Sequence, residues 1–286
     1  MEDVMNSENL KTFVLLSKLK NFTQTAERLF IAQSTVTNRI AELEREIGKK
    51  LFLRDSKNLS LTPEGAIFLD YVQRILELED ACLKEVHVVR SDKLRIGLPN
   101  AVYESFWEEK IMTCLRKGGV SFEIVLGHAS DMLQRLQDKL LDVVYSFQSF
   151  NKAGYVCEAY DRDELVLVTS PQTNEYPEGI RTEQFSDLKF LMCNFALQEI
   201  GSFVRELFPQ HAAFELEIDN STKLIPYLVA GLGYSFLPRK LVQKYVEEGK
   251  LQIVPLLDME NPEIEIYRIY HLNSGVEKRL ESLGLN

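Results

Sequence analysis

The chain has 286 residues, 45% of them hydrophobic, and a formal net charge of −10. At about 100–200 residues per domain, this length predicts two domains or slightly more. No stretch approaches the roughly 18–20 apolar residues that a membrane-spanning helix requires, which argues against a membrane protein. The acidic N-terminus does not resemble a signal peptide, and the four scattered cysteines lack metal-ligand spacing. We therefore expect free thiols in a reducing cytoplasm, with no metal and no cofactor.

The negative charge is unevenly distributed along the chain. Residues 1–62 carry a net charge of +2, residues 63–90 a net charge of −3, and residues 91–286 a net charge of −9. Because like charges repel, only the first segment is suited to approach a polyanion.

Two short amphipathic helices are predicted at the N-terminus. Residues 7–20 place their apolar side chains on one face, with Ser7 or Asn9 near the N-cap. Residues 21–30 predict a second helix with Thr23 as its N-cap. Three side chains of this second helix are expected to face inward: Ala26, Leu29 and Phe30.

A third helix follows a break at residues 30–32, in the stretch IAQSTVTNRIAELER. Its apolar side chains recur at spacings of four, three and four residues, at Val36, Ile40, Leu43 and Ile47, which indicates one buried face. The opposite face carries hydrogen-bonding groups, only one of which is charged: Gln33, Ser34, Thr35, Thr37, Asn38 and Arg39. A helix, a short turn and a second amphipathic helix form the helix-turn-helix pattern.

Residues 51–61 predict a short hairpin, or wing, beside the three helices. Leu51 and Leu53 precede turn residues at 56–58, and Leu59 and Leu61 follow them with the alternation expected of strands. The hairpin ends where the next helix begins.

A long helix is predicted from Thr62 to about Arg90. Thr62 is suited to cap it, and Pro63 needs no amide partner in its first turn. Apolar residues at heptad spacing, namely Leu69, Val72, Leu76, Leu83 and Val86, are typical of a helix that pairs with a second copy of itself. The alternative is an amphipathic helix that packs on its own domain.

After residue 91 the patterns of strands and helices alternate, which predicts parallel α/β sheets in one large domain or two smaller lobes. The predicted helices cover residues 132–141, 202–208, 221–231 and 239–249. The predicted strands cover residues 94–98, 122–127, 142–147, 164–170, 190–193, 214–218, 234–238 and 263–271.

The motifs NFTQTAERL, AQSTVTNRIAELE, GKKLFLR and LTPEG together resemble the N-terminal segment of LysR-type transcriptional regulators. Weaker matches, LRIGLP, DELVLVTSP and LVAGLGYSFLP, extend the resemblance over nearly the whole chain. It implies a cytoplasmic bacterial regulator of α/β class. Its expected parts are a winged helix-turn-helix at 1–62, a linker and dimerisation helix at 63–90, and a periplasmic-binding-protein-like effector domain at 91–286. In that domain we expect lobe I at about 91–161 and 266–286, and lobe II at about 162–265.

The polar face of the third helix is expected to read DNA bases. Gln and Asn side chains match adenine, Arg matches guanine, and a Thr methyl group matches thymine. Family members often have Ser where this chain has Ala32, so either Ser34 caps the helix one step later or no side chain caps it. Taken alone, Thr37 or Asn38 is better explained as part of a solvated helix face, and the alternative for Arg54 and Lys57 is a solubilising charge at the hairpin. The residues expected to contact bases or phosphates are Thr23, Gln24, Gln33, Ser34, Thr35, Thr37, Asn38, Arg39, Arg54 and Lys57.

Effector contacts are expected at loops that follow the predicted strands, because ligands of open parallel sheets bind at the carboxyl ends of strands. Five loops qualify, at residues 99–101, 128–130, 146–148, 193–195 and 220–222, and none carries an arginine. For each loop residue a helix cap is the alternative role, and Cys193 is either a redox sensor or a buried thiol. The candidate residues are Pro99, Asn100, Ala101, Ser130, Ser146, Phe147, Cys193, Asn194, Ser221 and Thr222.

The sequence therefore predicts a DNA-binding transcriptional regulator that responds to a small-molecule effector. Its expected partners are double-stranded DNA, the effector, further copies of the chain in a dimer or tetramer, and RNA polymerase as a candidate, with no membrane. The chain has no P-loop, GxGxxG or GxSxG motif, which argues against an enzyme. The alternative is a non-regulatory α/β ligand-binding protein, or an enzyme, that carries a helical oligomerisation module.

Overall fold

The computed structural model describes residues 5–54, 59–87, 93–193, 203–209 and 212–285. The chain divides into two compact units, Met1–Ser91 and Asp92–Asn286. We call them the N-terminal unit and the C-terminal unit, and each is described by itself.

The N-terminal unit begins with three helices: α1 (Ser7–Leu19), α2 (Phe22–Leu29) and α3 (Gln33–Ile47). Asparagine side chains cap the first two, because Asn6 accepts a hydrogen bond from the Glu8 amide at 2.8 Å and Asn21 accepts one from the Gln24 amide at 3.0 Å. The predicted caps Ser7, Asn9 and Thr23 are therefore wrong. Asn is favoured at the N-cap at least as strongly as Ser or Thr, and in both helices an Asn precedes the predicted residue.

The core of this unit lies where α1, α3 and α4 meet. Six side chains from α1 and α3 are almost fully buried there: Leu10, Phe13, Leu16, Val36, Ile40 and Leu43. The prediction that Phe30 faces inward is wrong, since 94% of its surface is exposed. Phe30 ends α2 in the left-handed conformation (φ 56°), which turns its side chain away from the face that carries Ala26.

The wing consists of β1 (Phe52–Arg54) and β2 (Leu59–Leu61), which pair in antiparallel register with Phe52 opposite Leu61. Phe52 is buried and Leu53 is exposed, so Phe52 is the residue of this pair that faces the core. The predicted turn at residues 56–58 lies outside the described residues.

The long helix α4 spans Pro63–His87. The predicted cap is confirmed, because the Thr62 hydroxyl accepts a hydrogen bond from the Gly65 amide at 2.8 Å. Gly65 packs against the wing so closely that a Cβ atom there would lie 2.1 Å from the Leu51 carbonyl oxygen. Only glycine fits at this position of the first turn.

Two faces of α4 carry apolar side chains, and they point in different directions. Val72 is fully buried in the core of the N-terminal unit, and Leu69 and Leu76 pack against that core. These three residues of the predicted heptad pattern therefore pack within the N-terminal unit. A second stripe, formed by Ile67, Tyr71, Ile75, Leu78 and Cys82, is exposed. At about 100° per residue, its members lie within about 80° of one another and nearly opposite Leu69 and Leu76.

The C-terminal unit contains a seven-stranded mixed sheet, with the order β10-β6-β11-β5-β3-β4 and with β9 also paired to β6. Only β3 pairs in parallel, with β4 and with β5, whereas β6 and β11 form antiparallel pairs. The prediction of purely parallel sheets is wrong here. The strands of the sheet are β3 (Lys93–Leu98), β4 (Ser121–Leu126), β5 (Val143–Ser146), β6 (Tyr155–Thr169), β9 (Ser235–Pro238), β10 (Gln252–Ile253) and β11 (Glu263–His271).

The remaining elements cover the sheet, and two short strands form a separate parallel pair. Helices at 100–117 and 276–283 were not predicted, and the helix predicted at 221–231 is split by Pro226 into two short turns. These elements are α5 (Asn100–Val102), a π-helical turn (Tyr103–Trp107), α6 (Glu108–Lys117), α7 (Ala129–Gln137), β7 (Met192–Cys193), α8 at 203–206, β8 (Glu217–Ile218), α9 (Ile225–Val229), α10 (Arg239–Glu247) and α11 (Val276–Leu283), with 3₁₀ turns at Thr182–Asp187 and Ser221–Lys223.

Two long antiparallel strands, β6 and β11, connect the two lobes. Ile266, Ile269 and Tyr270 of β11 pack in lobe I, beside a core that includes Trp107. Further along the pair, Leu165 and Leu167 of β6 and Ile264 of β11 join the lobe II cores. Phe147 packs against cores of both lobes, so the cleft between the lobes lies beside this residue. Among the described residues, no helix is long and apolar enough to cross a membrane.

Candidate DNA-binding surface and effector cleft

The first turn of α3 presents the polar face that the sequence indicated. Gln33, Ser34 and Asn38 are exposed, and Thr35 and Thr37 are partly buried. The helix begins after Ala32 without any side-chain cap, so of the two alternatives for its start the uncapped one is observed. Its first amides have no intrahelical acceptor and remain available to an external one.

A hydrogen bond joins this turn to the start of α2. The Thr23 hydroxyl donates to the amide oxygen of Gln33 at 3.4 Å. Gln24, the next residue along α2, is exposed. The contact therefore places the predicted phosphate-binding residue Thr23 beside a predicted base-reading residue, at one end of the motif.

Arg39 lies apart from this surface, because its guanidinium group contacts α1. It donates to the Thr12 hydroxyl at 3.0 Å and lies 3.3 Å from the carboxylate of Glu8. With two partners on α1, Arg39 is a structural link between helices in this chain. The side chain of Arg54 and the whole of Lys57 lie outside the described residues.

The C-terminal unit contains a cavity of about 110 Å³ in the cleft between the lobes. Five of the predicted effector residues line it: Pro99, Asn100, Ala101, Phe147 and Ser221. Its other lining residues are Gly127, His128, Ala129, Gln148, Asp219 and Asn220. Three helical turns begin at its wall, after Pro99, after His128 and after Asn220.

An ion pair crosses the cleft. The Nε2 atom of His128, at the start of α7, lies 3.2 Å from a carboxylate oxygen of Asp219, which follows β8. Both side chains are largely exposed, and each belongs to a different lobe. The imidazole and the carboxylate thus meet beside the cavity, and the contact is an ion pair only when His128 is protonated.

Ser130, Ser146, Cys193 and Thr222, which the structure describes, are not among the residues that line the cavity. Ser130 is exposed, and Ser146 is fully buried, where its hydroxyl accepts a hydrogen bond from the Gln148 amide at 2.9 Å. Thr222 is buried and hydrogen-bonds to Asn220, which caps the 3₁₀ turn. Asn194 lies outside the described residues.

Cys193 is buried at the end of β7. Burial, together with the nearby charge of Asp219, raises the pKa of its thiol to about 12. A thiol with such a pKa is almost wholly protonated at neutral pH, and the thiolate is the form that reacts with oxidants. The geometry thus favours the buried-thiol alternative over the redox sensor.

Four of the five loops predicted from the sequence contribute residues to the cavity, although some lining side chains differ from the predicted ones. His128, Gln148 and Asn220 belong to loops that were singled out, whereas Asp219 precedes one of them. The signal for His128 and Asp219 was their charge next to predicted strand ends. Their pairing across the cleft depends on the fold. Among the described residues, no cluster of His, Cys, Asp or Glu is arranged to hold a metal ion.

Two family profiles together match most of the chain. Residues 7–66 match the profile of the bacterial regulatory helix-turn-helix proteins of the lysR family, and residues 89–283 match the LysR substrate binding domain. The HTH-type transcriptional regulator CitR of Bacillus subtilis is 27% identical over 285 residues, which cover 96% of this chain and 97% of CitR. The probable RuBisCO transcriptional regulator of Thalassiosira pseudonana is 26% identical over 271 residues, 89% of this chain and 87% of that protein.

Solved structures share the fold at lower sequence identity. The LysR family regulator CbnR is 15% identical, with a TM-score of 0.70 and 98% of both chains covered. CbnR complexed with its target DNA is 17% identical in the alignment, with a TM-score of 0.68 and 98% of both chains covered. A full-length OxyR variant from Pseudomonas aeruginosa gives 18% identity and a TM-score of 0.56, again with 98% of both chains covered.

A winged helix-turn-helix joined by a long helix to a two-lobed ligand-binding domain defines the class of ligand-responsive DNA-binding regulators. Within that class, the chain belongs to the LysR family of transcriptional regulators. It is a transcriptional regulator with a DNA-binding N-terminal domain and an effector-binding C-terminal domain, and it is not an enzyme. The resemblance seen in the sequence is confirmed.

Proposed function

We propose that this regulator binds promoter DNA with the first turn of α3 in the major groove. Gln33, Ser34, Thr37 and Asn38 would meet base edges there, and Thr23 and Gln24 would meet the phosphates beside them. The observation that carries the proposal is the exposed, uncapped start of α3 joined to Thr23. CbnR, which has the same fold, is seen in complex with its target DNA.

Arg54 and Lys57 complete the proposed contacts as phosphate-binding residues of the wing. Thr35 lies in the same turn and is partly buried, so it is proposed as a secondary contact to DNA. Arg39 is not proposed as a base reader, because α1 occupies its guanidinium group.

We propose that the regulator acts in the cytoplasm as a homodimer that pairs into a tetramer. The dimer contact is assigned to the exposed stripe of α4, because Ile67, Tyr71 and Ile75 are 61%, 64% and 40% exposed at spacings of four residues. An apolar stripe at such spacings is typical of helix pairing. Two or four DNA-binding domains held together multiply a weak electrostatic attraction through effective concentration. RNA polymerase is the proposed further partner at promoters.

We propose that residues 1–62 bind DNA, residues 63–90 form the dimer contact and residues 91–286 bind the effector. The effector is a small molecule bound in the cavity between lobe I (about 91–161 and 266–286) and lobe II (about 162–265). Asn100, Ala101, Phe147 and Ser221 line this cavity. Its occupation would change how the two lobes meet and thereby the arrangement of the attached DNA-binding domains.

The proposal is tested by gel retardation of genomic DNA fragments with the purified full chain over a series of salt concentrations. Retardation of a subset of fragments is expected, and log affinity should fall linearly with log salt as counterions are released. Retardation of no fragment, or of all fragments equally, would contradict sequence-specific binding. The same experiment with the variant Asn38→Ala should show a smaller difference in affinity between the retarded fragments and the other fragments.

A further inference from the structure

The cavity in the effector cleft is small. At about 10–15 Å³ for each water-sized atom, a volume of about 110 Å³ holds roughly seven to eleven non-hydrogen atoms. This is the size of a small metabolite.

The charged groups that line the cavity are one anion and one potential cation. Asp219 supplies the carboxylate and His128 the imidazole, and the described lining residues include no lysine or arginine. A ligand with two or three negative charges would therefore meet Asp219 without a compensating arginine fork.

His128 and Asp219 satisfy each other at 3.2 Å while their side chains are 48% and 72% exposed. An exposed ion pair of this kind contributes little to stability, so its separation costs little. A ligand that carries both charges can replace each partner by its own opposite group. Asn100 and Gln148 also line the cavity, and their amide side chains can offer further hydrogen bonds to such a ligand.

Pro99, Ala101 and Phe147 add apolar surface to the cavity lining. Such a surface suits a short aliphatic side chain, because burial of apolar surface is favourable at about 25 cal/mol per Å². The cavity thus combines an anionic group, an imidazole donor and a small apolar surface.

We infer that the effector is a small zwitterion of the α-amino-acid class. Its ammonium group pairs with the carboxylate of Asp219, and its carboxylate accepts a hydrogen bond from His128. Its side chain, of up to about six non-hydrogen atoms, lies against Phe147 and Ala101. This inference rests on the proposed function, since it names the ligand class of the effector cavity proposed there.

The test is a thermal-shift and calorimetric screen of the full chain. The probes are the proteinogenic amino acids, their deaminated carboxylates such as propionate, and the polycarboxylates succinate and citrate. At least one small amino acid is expected to raise the unfolding midpoint of the ligand-binding unit. Its deaminated analogue and the polycarboxylates are expected to leave the midpoint unchanged, and so is tryptophan, which is too large.

Two variants locate the site. Asp219→Asn should weaken the Kd of the binding amino acid by about 10- to 100-fold, which corresponds to the loss of a charge-assisted hydrogen bond. Asp131→Asn removes an exposed carboxylate of α7 outside the cavity lining and should leave the Kd unchanged.

The inference is overturned if no amino acid binds, if the deaminated analogue or citrate binds as well as the amino acid, or if Asp219→Asn binds like the unaltered chain. None of these results would change the DNA retardation that the proposed function predicts. Failure of retardation, in contrast, would reject the proposed function whatever the ligand screen gives. The two failures are therefore distinguishable.

Discussion

The carboxylate of Glu44, near the end of α3, accepts a hydrogen bond from the backbone amide of Leu51 at 3.0 Å. The same oxygen lies 3.4 Å from the Phe52 amide, and the other oxygen accepts a bond of 2.6 Å from Lys50. One buried acid thus fixes the wing to the proposed recognition helix. The proposed contact of the wing with DNA would therefore depend on this link.

Replacement of Glu44 should destabilise the N-terminal unit. Glu44→Ala leaves the buried Leu51 amide without its acceptor, which costs about 1–3 kcal/mol of unfolding free energy. Glu44→Gln keeps an acceptor oxygen and should lose less. Urea unfolding monitored by circular dichroism measures both, and Glu46→Gln on the exposed side of α3 is the matched control. Equal stability of Glu44→Ala and the control would refute the role of this contact.

The same carboxylate makes stability depend on pH. Burial raises the pKa of Glu44, but the hydrogen bonds from Lys50, Leu51 and Phe52 outweigh it and hold the pKa below its ordinary value of 4.5. The folded chain therefore binds this proton less readily than the unfolded chain. The stabilisation is fully present above pH 4.5 and is lost as the pH falls through the lowered pKa. In Glu44→Gln this part of the acid dependence should be missing.

Arg39 is predicted to act on stability and not on base preference. Arg39→Gln removes the contacts to Thr12 and Glu8 on α1 and should lower the unfolding free energy by about 1 kcal/mol, as for a partly exposed charged pair. Arg45→Gln, an exposed arginine of the same helix, is the control. A relaxed preference at one base position in Arg39→Gln, with unchanged stability, would show that the guanidinium group reads DNA instead.

The exposed stripe of α4 is predicted to hold the dimer together. Tyr71→Glu places a charge in the centre of the stripe and should raise the dimer dissociation constant by at least about tenfold, because burial of an unpaired charge costs several kcal/mol. Sedimentation equilibrium measures this constant. Ala66→Glu adds the same charge on an exposed position of another face and should leave the dimer intact. If Ala66→Glu dissociates the dimer and Tyr71→Glu does not, the dimer contact is assigned to the wrong face of α4.

Cys193 is predicted to resist alkylation in the native chain. Its pKa of about 12 leaves almost no thiolate at pH 8, and its side chain is buried. Iodoacetamide should therefore modify the exposed Cys82 first, as measured by peptide mass spectrometry. Preferential modification of Cys193, or its oxidation by dilute peroxide before Cys82, would restore the redox alternative.

The sequence predicted features that depend on local chemistry. The Thr62 cap follows from the Thr-Pro pair alone, and the buried face of α3 follows from the spacing of Val36, Ile40 and Leu43. The family resemblance supplied the overall architecture. These features require no knowledge of which distant residues meet.

Other features depend on distant contacts and were missed or misassigned. The first half of β6 carries charged and polar residues such as Asp161, so its strand pattern is weak in the sequence. It is a strand because it pairs with the distant β11, where Ile266 lies opposite Asp161. The heptad residues Leu69 and Val72 face their own unit because α1 and α3 pack there. The links from Arg39 to Thr12 and from His128 to Asp219 join residues 27 and 91 positions apart. No local pattern reveals such pairs.

The central claim is that the first turn of α3 reads the DNA sequence. It is tested most directly by selection of preferred sites from a random duplex pool, followed by Kd measurements on a selected and a scrambled duplex. The unaltered chain should bind the selected duplex far more tightly. The double variant Thr37→Ala with Asn38→Ala should lose about 1–3 kcal/mol of that discrimination for each contact removed, while its fold and its affinity for the scrambled duplex persist. Full discrimination in the double variant would contradict the claim.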